Sequence, residues 1–422
     1  MFSKLKPKSE FSRNVLTLMT GTTIAQAIPI AISPILTRIY TPEDFGMFAL
    51  YISVASIISV VATGRYELAI MLPKKDEDAV NIVALSIIIS FFVSFISLLI
   101  VFFLNSQITA LLGNPEISNW LYFIPITVLL TGVYQSFNYW SNRKKQYKRL
   151  ATSRVIQSGT TATTNLGMGF AGFGSSGLIL GGVLGQGVAT AILGRMVWRE
   201  DRYRLKEVKR LKVFVLARKY MKFPKYNTQH VLINTLFSQM PILILSKYFN
   251  STIVGFYALS IRIIQMPIAI LGNSLATVLY EKIVSLRNKN QKYMSQVYKF
   301  LKYQILLSIT LFPILFILSD YMNIVFGDSW QEVGLYIKLL IPWLFMVFVV
   351  SPLAFAINMT ENQEKGLKLE WLYGGIKFTS LLVGAVYFND IIITLGLFSF
   401  FNALFLFFQG IWFIKLLKEG ER

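Results

Sequence analysis

Apolar stretches, each about twenty residues long and separated by short polar breaks, recur along this 422-residue chain. About twenty helical residues at ~1.5 Å each cover the ~30 Å of hydrocarbon in a bilayer. Each stretch therefore predicts a transmembrane helix. The predicted spans are residues 14–37, 45–63, 79–104, 118–138, 152–173 and 178–197, then 224–246, 253–280, 300–322, 335–358, 369–388 and 391–416. This describes an all-α polytopic membrane protein of about twelve helices. A polar, basic stretch separates the two sets, so the predicted organisation is an N-terminal six-helix half (1–197), a basic cytoplasmic linker (198–223) and a C-terminal six-helix half (224–422).

Composition agrees, with 54% hydrophobic residues, 15% charged and a mean hydropathy of +0.56. A soluble domain of this length would be far more polar. The formal charge of +20 would suit nucleic acid if the cations were clustered on one surface. They occupy alternate inter-helix loops instead, as orientation signals do. With the N-terminus assigned to the cytoplasm, all but five of the 41 lysines and arginines fall on the cytoplasmic side. The exceptions are Arg38, Lys247 and Lys338 at outer ends, and Arg262 and Lys377 inside spans. Both termini are thus expected inside, with no nucleic-acid partner. The cations Lys4, Lys6, Lys8 and Arg13 before the first apolar run resemble a secretory signal, but that run is long and many spans follow, so it reads as an uncleaved first helix. The absence of cysteine excludes disulfides and thiolate metal sites.

The two halves repeat. Shifted by 209 positions, Arg38 meets Lys247, Thr41 meets Asn250, Gly46 meets Gly255, and Ala49, Leu50 and Ile52 meet Ala258, Leu259 and Ile261. Shifted by 214, Gly113, Leu121 and Tyr122 meet Gly327, Leu335 and Tyr336. Six helices per copy is an even number, so the copies share one orientation, as in transporters whose halves are related by an axis along the membrane normal. In the linker, Leu205, Val208, Leu211 and Val215 recur at helical spacing among cations. Two readings stand: an amphipathic helix on the anionic inner leaflet, or a basic loop with no docking role.

Few residues promise chemistry. Thr41-Pro42-Glu43-Asp44 has the form of a helix start, with Thr as N-cap and a carboxylate three residues later. Arg262 falls about 14 Å into its span at ~1.5 Å per residue, close to mid-bilayer. Lys377 reaches a similar depth from the other side. Cations there are costly and by default face a partner or a wet cavity; the natural guest of a cationic cavity is a multiply charged anion such as a diphosphate. Arg65 and Glu67 sit where the second span meets the cytoplasm, as a structural pair or at the mouth of a cleft. Arg38 and Lys247 are matching outer-end cations that either guide an anionic head group or snorkel to the interface. His230 reads as a packed polar residue. No metal-ligand spacing, phosphate loop or nucleophile constellation is present.

The stretch Ser33-Pro34-Ile35-Leu36-Thr37-Arg38-Ile39-Tyr40-Thr41-Pro42-Glu43-Asp44-Phe45-Gly46 resembles the first-loop signature of polysaccharide flippases of the O-antigen (Wzx) type. Gly64-Arg65-Tyr66-Glu67-Leu68-Ala69-Ile70, Asn138-Tyr139-Trp140 with Arg143-Lys144-Lys145, and Phe326-Gly327-Asp328-Ser329-Trp330 fit the same pattern. The resemblance covers nearly the whole chain. It implies the fold shared with multidrug-and-toxin exporters and the peptidoglycan-precursor flippase, two six-helix bundles around a central cleft. It also implies the substrate, an undecaprenyl-diphosphate-linked oligosaccharide moved between leaflets of the bacterial cytoplasmic membrane for surface polysaccharides such as lipopolysaccharide O-antigen. A polysaccharide polymerase and glycosyltransferases would be its pathway partners, and membrane lipids its surroundings. This chain carries fewer deep charges than the more cationic members, which leaves the coupling residue open.

On these grounds Arg262, Lys377, Arg65, Arg38 and Lys247 are the expected substrate-binding residues. Glu67 is the candidate for coupling to protons or sodium; burial would help it take a proton, and Arg65 beside it would oppose this. Tyr66, Tyr139 and Trp140 are candidates for stacking on sugars, or for an interfacial belt. A drug or metabolite exporter of the same fold is the alternative, though a site for cationic guests would favour acids. An enzyme of the same pathway would need a catalytic surface that the short outer loops do not offer.

Overall fold

The computed structural model describes residues 10–268 and 272–421, and among these every regular element is helical. The long helices before the linker are α1 (Glu10–Ile39), α2 (Pro42–Ser59), α3 (Asp76–Leu112), α4 (Ile124–Arg143), α5 (Tyr147–Phe170) and α6 (Ser175–Asp201). The linker forms α7 (Arg210–Lys219). After it come α8 (Thr228–Tyr248), α9 (Ser251–Pro267), α10 (Asn273–Asn288), α11 (Met294–Leu318), α12 (Val333–Val350), α13 (Gln363–Leu382) and α14 (Ile391–Glu421). Eight helical segments among the described residues are long and apolar enough to cross a membrane. Of the other predicted spans, α2, α5 and α8 carry more polar residues, and α9 is shorter. Lys4, Lys6 and Lys8 lie outside the described residues, as does the side chain of Arg13.

The helix ends follow from local chemistry. Thr41 caps α2 through a reciprocal pair: its hydroxyl accepts from the Asp44 amide at 3.2 Å, and Asp44 accepts from the Thr41 amide at 2.9 Å. Pro42, at the first helical position, lacks the N–H that would otherwise be orphaned there. Asn250 caps α9 at the matching point of the repeat, accepting from the Ile253 amide at 2.9 Å. Gly113 ends α3 in the left-handed region at φ 72°, and its counterpart Gly327 also has positive φ, at 97°, where a side chain is disfavoured.

The chain separates into two compact units, one ending at Gln239 and the other starting at Met240. The first unit thus extends past the linker into α8. Two hydrogen bonds tie this extension to it: Arg65 Nε donates to Asn227 Oδ1 at 2.9 Å, and Ser53 Oγ to Gln239 Oε1 at 2.9 Å. Within this unit α5 packs on α1 and α6, and α3 on α4. Gly181 and Gly185 leave no room for a Cβ beside Asn165 and Thr161, which lets α5 and α6 approach closely. In the second unit α12 packs against α14, α9 and α11. Its core holds Val297, Leu301, Leu353, Phe413 and Leu417.

The linker is held against the first unit. Asn81 on α3 donates to the Glu207 carbonyl at 2.9 Å and accepts from the Lys209 amide at 2.8 Å. Tyr66 donates to the Ala217 carbonyl at 2.9 Å. α7 buries Leu216, packs Val213 and Ala217 on the same cluster with Tyr220 just past its end, and leaves Leu211, Phe214 and Val215 exposed. Leu211 and Val215 of the expected apolar stripe are therefore on the outer face. Val208 packs inward, and the Leu205 side chain lies outside the described residues.

Candidate functional site

Lys377 lies on α13, ~16 Å before the helical run ends at Phe388, at ~1.5 Å per residue. Its Nζ stands 4.1 Å from the ring centroid of Tyr373, one turn earlier, and 5.8 Å from that of Trp343 on α12. The two rings are held in place. Trp343 Nε1 donates to the Tyr373 hydroxyl at 2.8 Å, Tyr373 stacks on Phe405 at 5.0 Å, and Trp343 meets Phe398 edge-on at 4.8 Å. A ring face attracts a cation by about 0.5–2 kcal/mol and leaves its charge in place. Arg262 lies ~16 Å along α9 from Ser251, by the same rise per residue. Its side chain is exposed on the surface of the second unit, outside the packed core.

Arg65 and Glu67 are brought together by an unusual turn. Gly64 (φ 56°) and Arg65 (φ 60°) are both left-handed, a conformation that arginine rarely adopts. The chain then enters a short 3₁₀ helix, Tyr66–Met71, that buries Glu67. Arg65 Nη1 lies 3.3 Å from Glu67 Oε1, and Thr63 donates to Glu67 Oε2. Both carboxylate oxygens are thus engaged, which is what a buried acid requires.

Arg38 and Lys247 stand in the last turns of α1 and α8. Arg38 Nη1 donates to the Pro34 carbonyl at 2.9 Å, and Lys247 is exposed. Cations in last turns meet the negative end of the helix dipole. His230 is exposed on α8, so the packed position expected for it is not observed. The three candidate stacking aromatics separate as well. Tyr66 is buried and bonded to the linker. Trp140 is 1% exposed and donates to Asp201 Oδ2 at 3.0 Å. Tyr139 lines an open polar cavity, whereas Trp140 lines a separate apolar one.

Sequence reasoning missed the acids that answer the cations of the first unit. Asp76 accepts from Arg143 Nε at 3.0 Å and Lys144 Nζ at 2.9 Å, with Arg204 Nη2 at 3.2 Å. Arg149, 5% exposed, pairs with Glu200 and with Asp201 at 2.9 Å. Lys212 bridges to Glu77 at 2.6 Å, a bond that holds its ammonium above the ordinary lysine pKa. The available signal was the placement of Asp76, Glu77 and Asp78 at a helix start and of Glu200 and Asp201 at a helix end, each next to a basic run. The Tyr373 half of the aromatic cage was also legible, at i−4 from Lys377. Trp343 was not.

Residues 35–334 match the family described as polysaccharide biosynthesis protein. The chain belongs to this family. Among solved structures, it is similar to an inward-facing multidrug resistance MATE family transporter of the MOP superfamily: TM-score 0.73, 13% identity, over 94% of this chain and 99% of that one. It is also similar to the lipid II flippase MurJ in an inward closed conformation, with TM-score 0.72 and 12% identity over 96% of this chain and 90% of the flippase. A third is a MOP superfamily transporter from Pyrococcus furiosus, with TM-score 0.56 and 14% identity over 96% of each chain. At such identities the likeness concerns the fold, and it identifies this family member as an all-α, multi-pass membrane protein of the MATE-like class. No curated protein matches the sequence.

Proposed function

We propose that this family member is a flippase that carries undecaprenyl-diphosphate-linked oligosaccharide from the inner to the outer leaflet of the bacterial cytoplasmic membrane, by alternating access, with both termini inside. Membership of a polysaccharide biosynthesis family and the fold shared with a lipid II flippase support transport of a lipid-linked sugar. The observation that carries the reading is the pair of deep cations in the second unit. Lys377 is held against two ring faces, with the carboxylate of Glu370 two turns earlier on the same helix as its acidic neighbour. A charge maintained at such a cost marks a pathway for something oppositely charged, and the diphosphate of a lipid carrier is that anion. Arg262 would share the diphosphate during passage. Arg65, Arg38 and Lys247 would hand it on or off near the membrane faces, while the polyprenyl tail stays in lipid.

Replacing Arg262 with Ala is expected to abolish surface glycan at unchanged protein level. Normal glycan in that variant would remove Arg262 from the mechanism. The same fold also serves multidrug transporters. Uptake of cationic dyes into inverted vesicles, competed by other cations and untouched by loss of the lipid-linked sugar, would favour that activity over flipping.

A further inference from the structure

We propose that an open polar cavity on the first unit binds the sugar portion of the lipid-linked substrate, an inference that rests on the flippase reading above. The cavity has a volume of about 570 Å³, within the ~300–1,000 Å³ usual for small-ligand sites. Three helices line it. α4 contributes Gln135, Asn138 and Asn142 at spacings of three and four, so one face of an otherwise apolar span is a stripe of amides. α1 adds Thr22 and Gln26, four residues apart, and α5 adds Arg154 and Gln157, three apart. Counting back from the end of α4 at Arg143, Gln135 lies ~12 Å into the span at ~1.5 Å per residue.

Polar side chains at such depth are expensive unless they serve a pathway or a partner. Among the described residues, Gln135, Asn138 and Asn142 make no side-chain hydrogen bond to the protein, although each amide offers two donors and an acceptor. Arg154 Nη1 donates to Thr22 Oγ1 at 2.7 Å, which leaves most of its five N–H donors available. Sugar hydroxyls both give and accept hydrogen bonds, as amides do, and the C–H face of a pyranose packs on an aromatic ring such as Tyr139. A hydrophobic drug would leave these amides unpaired. A bare diphosphate would meet one guanidinium and many acceptor oxygens. An oligosaccharide pairs with the amides of Gln135, Asn138 and Asn142, with the remaining donors of Arg154 available to an acidic sugar.

The test uses full-length protein in nanodiscs and two probes. One is the lipid-linked oligosaccharide extracted from producing cells depleted of this chain. The other is the undecaprenyl diphosphate that mild acid hydrolysis releases from it. Wild type is expected to bind the glycosylated lipid more tightly. The double variant Gln135→Leu/Asn138→Leu should lose about tenfold in affinity for it, as expected for two hydrogen bonds, and bind the sugar-free lipid as wild type does. That unchanged affinity also reports a folded protein. Tyr139→Phe should keep the affinity that Tyr139→Ala loses. An equal loss for both lipids, or equal wild-type affinity for the two, would overturn the sugar site and leave the flippase reading standing. Wild type binding neither lipid would overturn both.

Discussion

The two units carry matching helix starts and matching loop glycines, yet they treat charge in opposite ways. In the first unit, cations at the basic ends of the helices are answered by acids: Asp76 gathers Arg143, Lys144 and Arg204, and Arg149 lies between Glu200 and Asp201. The corresponding region of the second unit has exposed one-turn pairs, Lys368 with Glu364 and Lys415 with Glu419, and its interior relies on apolar packing and backbone groups. Arg287 Nη1 donates to the Met359 carbonyl at 2.6 Å, the Glu421 carboxylate accepts from the Tyr293 and Met294 amides, and a cluster of leucines, valines and aromatics fills the space between. The second unit holds Lys377 against the rings of Tyr373 and Trp343 and leaves Arg262 exposed on α9. A repeat therefore preserves where helices begin and end, while the polar interior of each copy can diverge. Ion pairing in one copy holds the linker and helix ends together, and in the other Lys377 lies against ring faces.

The largest test of this contrast is Lys377→Met, which keeps the stem against Tyr373 and Trp343 and removes the charge. Loss of a charge-assisted hydrogen bond to phosphate, about 1.5–3 kcal/mol, predicts that flipping of a lipid-linked oligosaccharide in proteoliposomes falls by ~10- to 100-fold. Lys377→Arg should retain part of the rate. A wild-type rate in Lys377→Met would make the deep lysine structural, and the two units alike.

On the side of the first unit, Arg149→Ala leaves Asp201, 10% exposed, without its main partner. Breaking a buried pair this way costs about 3–5 kcal/mol, so thermal unfolding in detergent should shift strongly downward while the exposed control Lys415→Ala does nothing measurable. Equal effects of the two would mean that the network contributes no more than a surface pair. The smallest effects belong to what the units share. Thr41→Ala and Asn250→Ala each remove an N-cap, for about 1 kcal/mol of stability apiece. A clear inequality between them would break the equivalence of the two helix starts.

How much was legible in advance varied with the distance over which each feature is decided. The caps at Thr41 and Asn250 involve residues three apart, so the sequence contained all the partners. The positions of Arg262 and Lys377 within their helices followed from counting along an apolar run. Trp140 was different: its motif position suggested an available ring, whereas packing buries it and turns its N–H to Asp201. The linker also deceived, because a helical stripe of Leu211 and Val215 states that one face is apolar without stating which face meets the protein.

From its order of residues alone, this protein is a membrane-embedded helical chain, because span length, cap chemistry and charge bias act over a few neighbouring positions. Only the tertiary structure decided that Arg149 meets residues some fifty positions away, that Trp343 completes the cage of Lys377, and that amides from three helices line one cavity. Periodicity fixes the side of a helix on which a residue stands. The helix that faces it is chosen by packing among segments of nearly equal hydrophobicity, and small differences in shape, absent from any one segment, settle that choice.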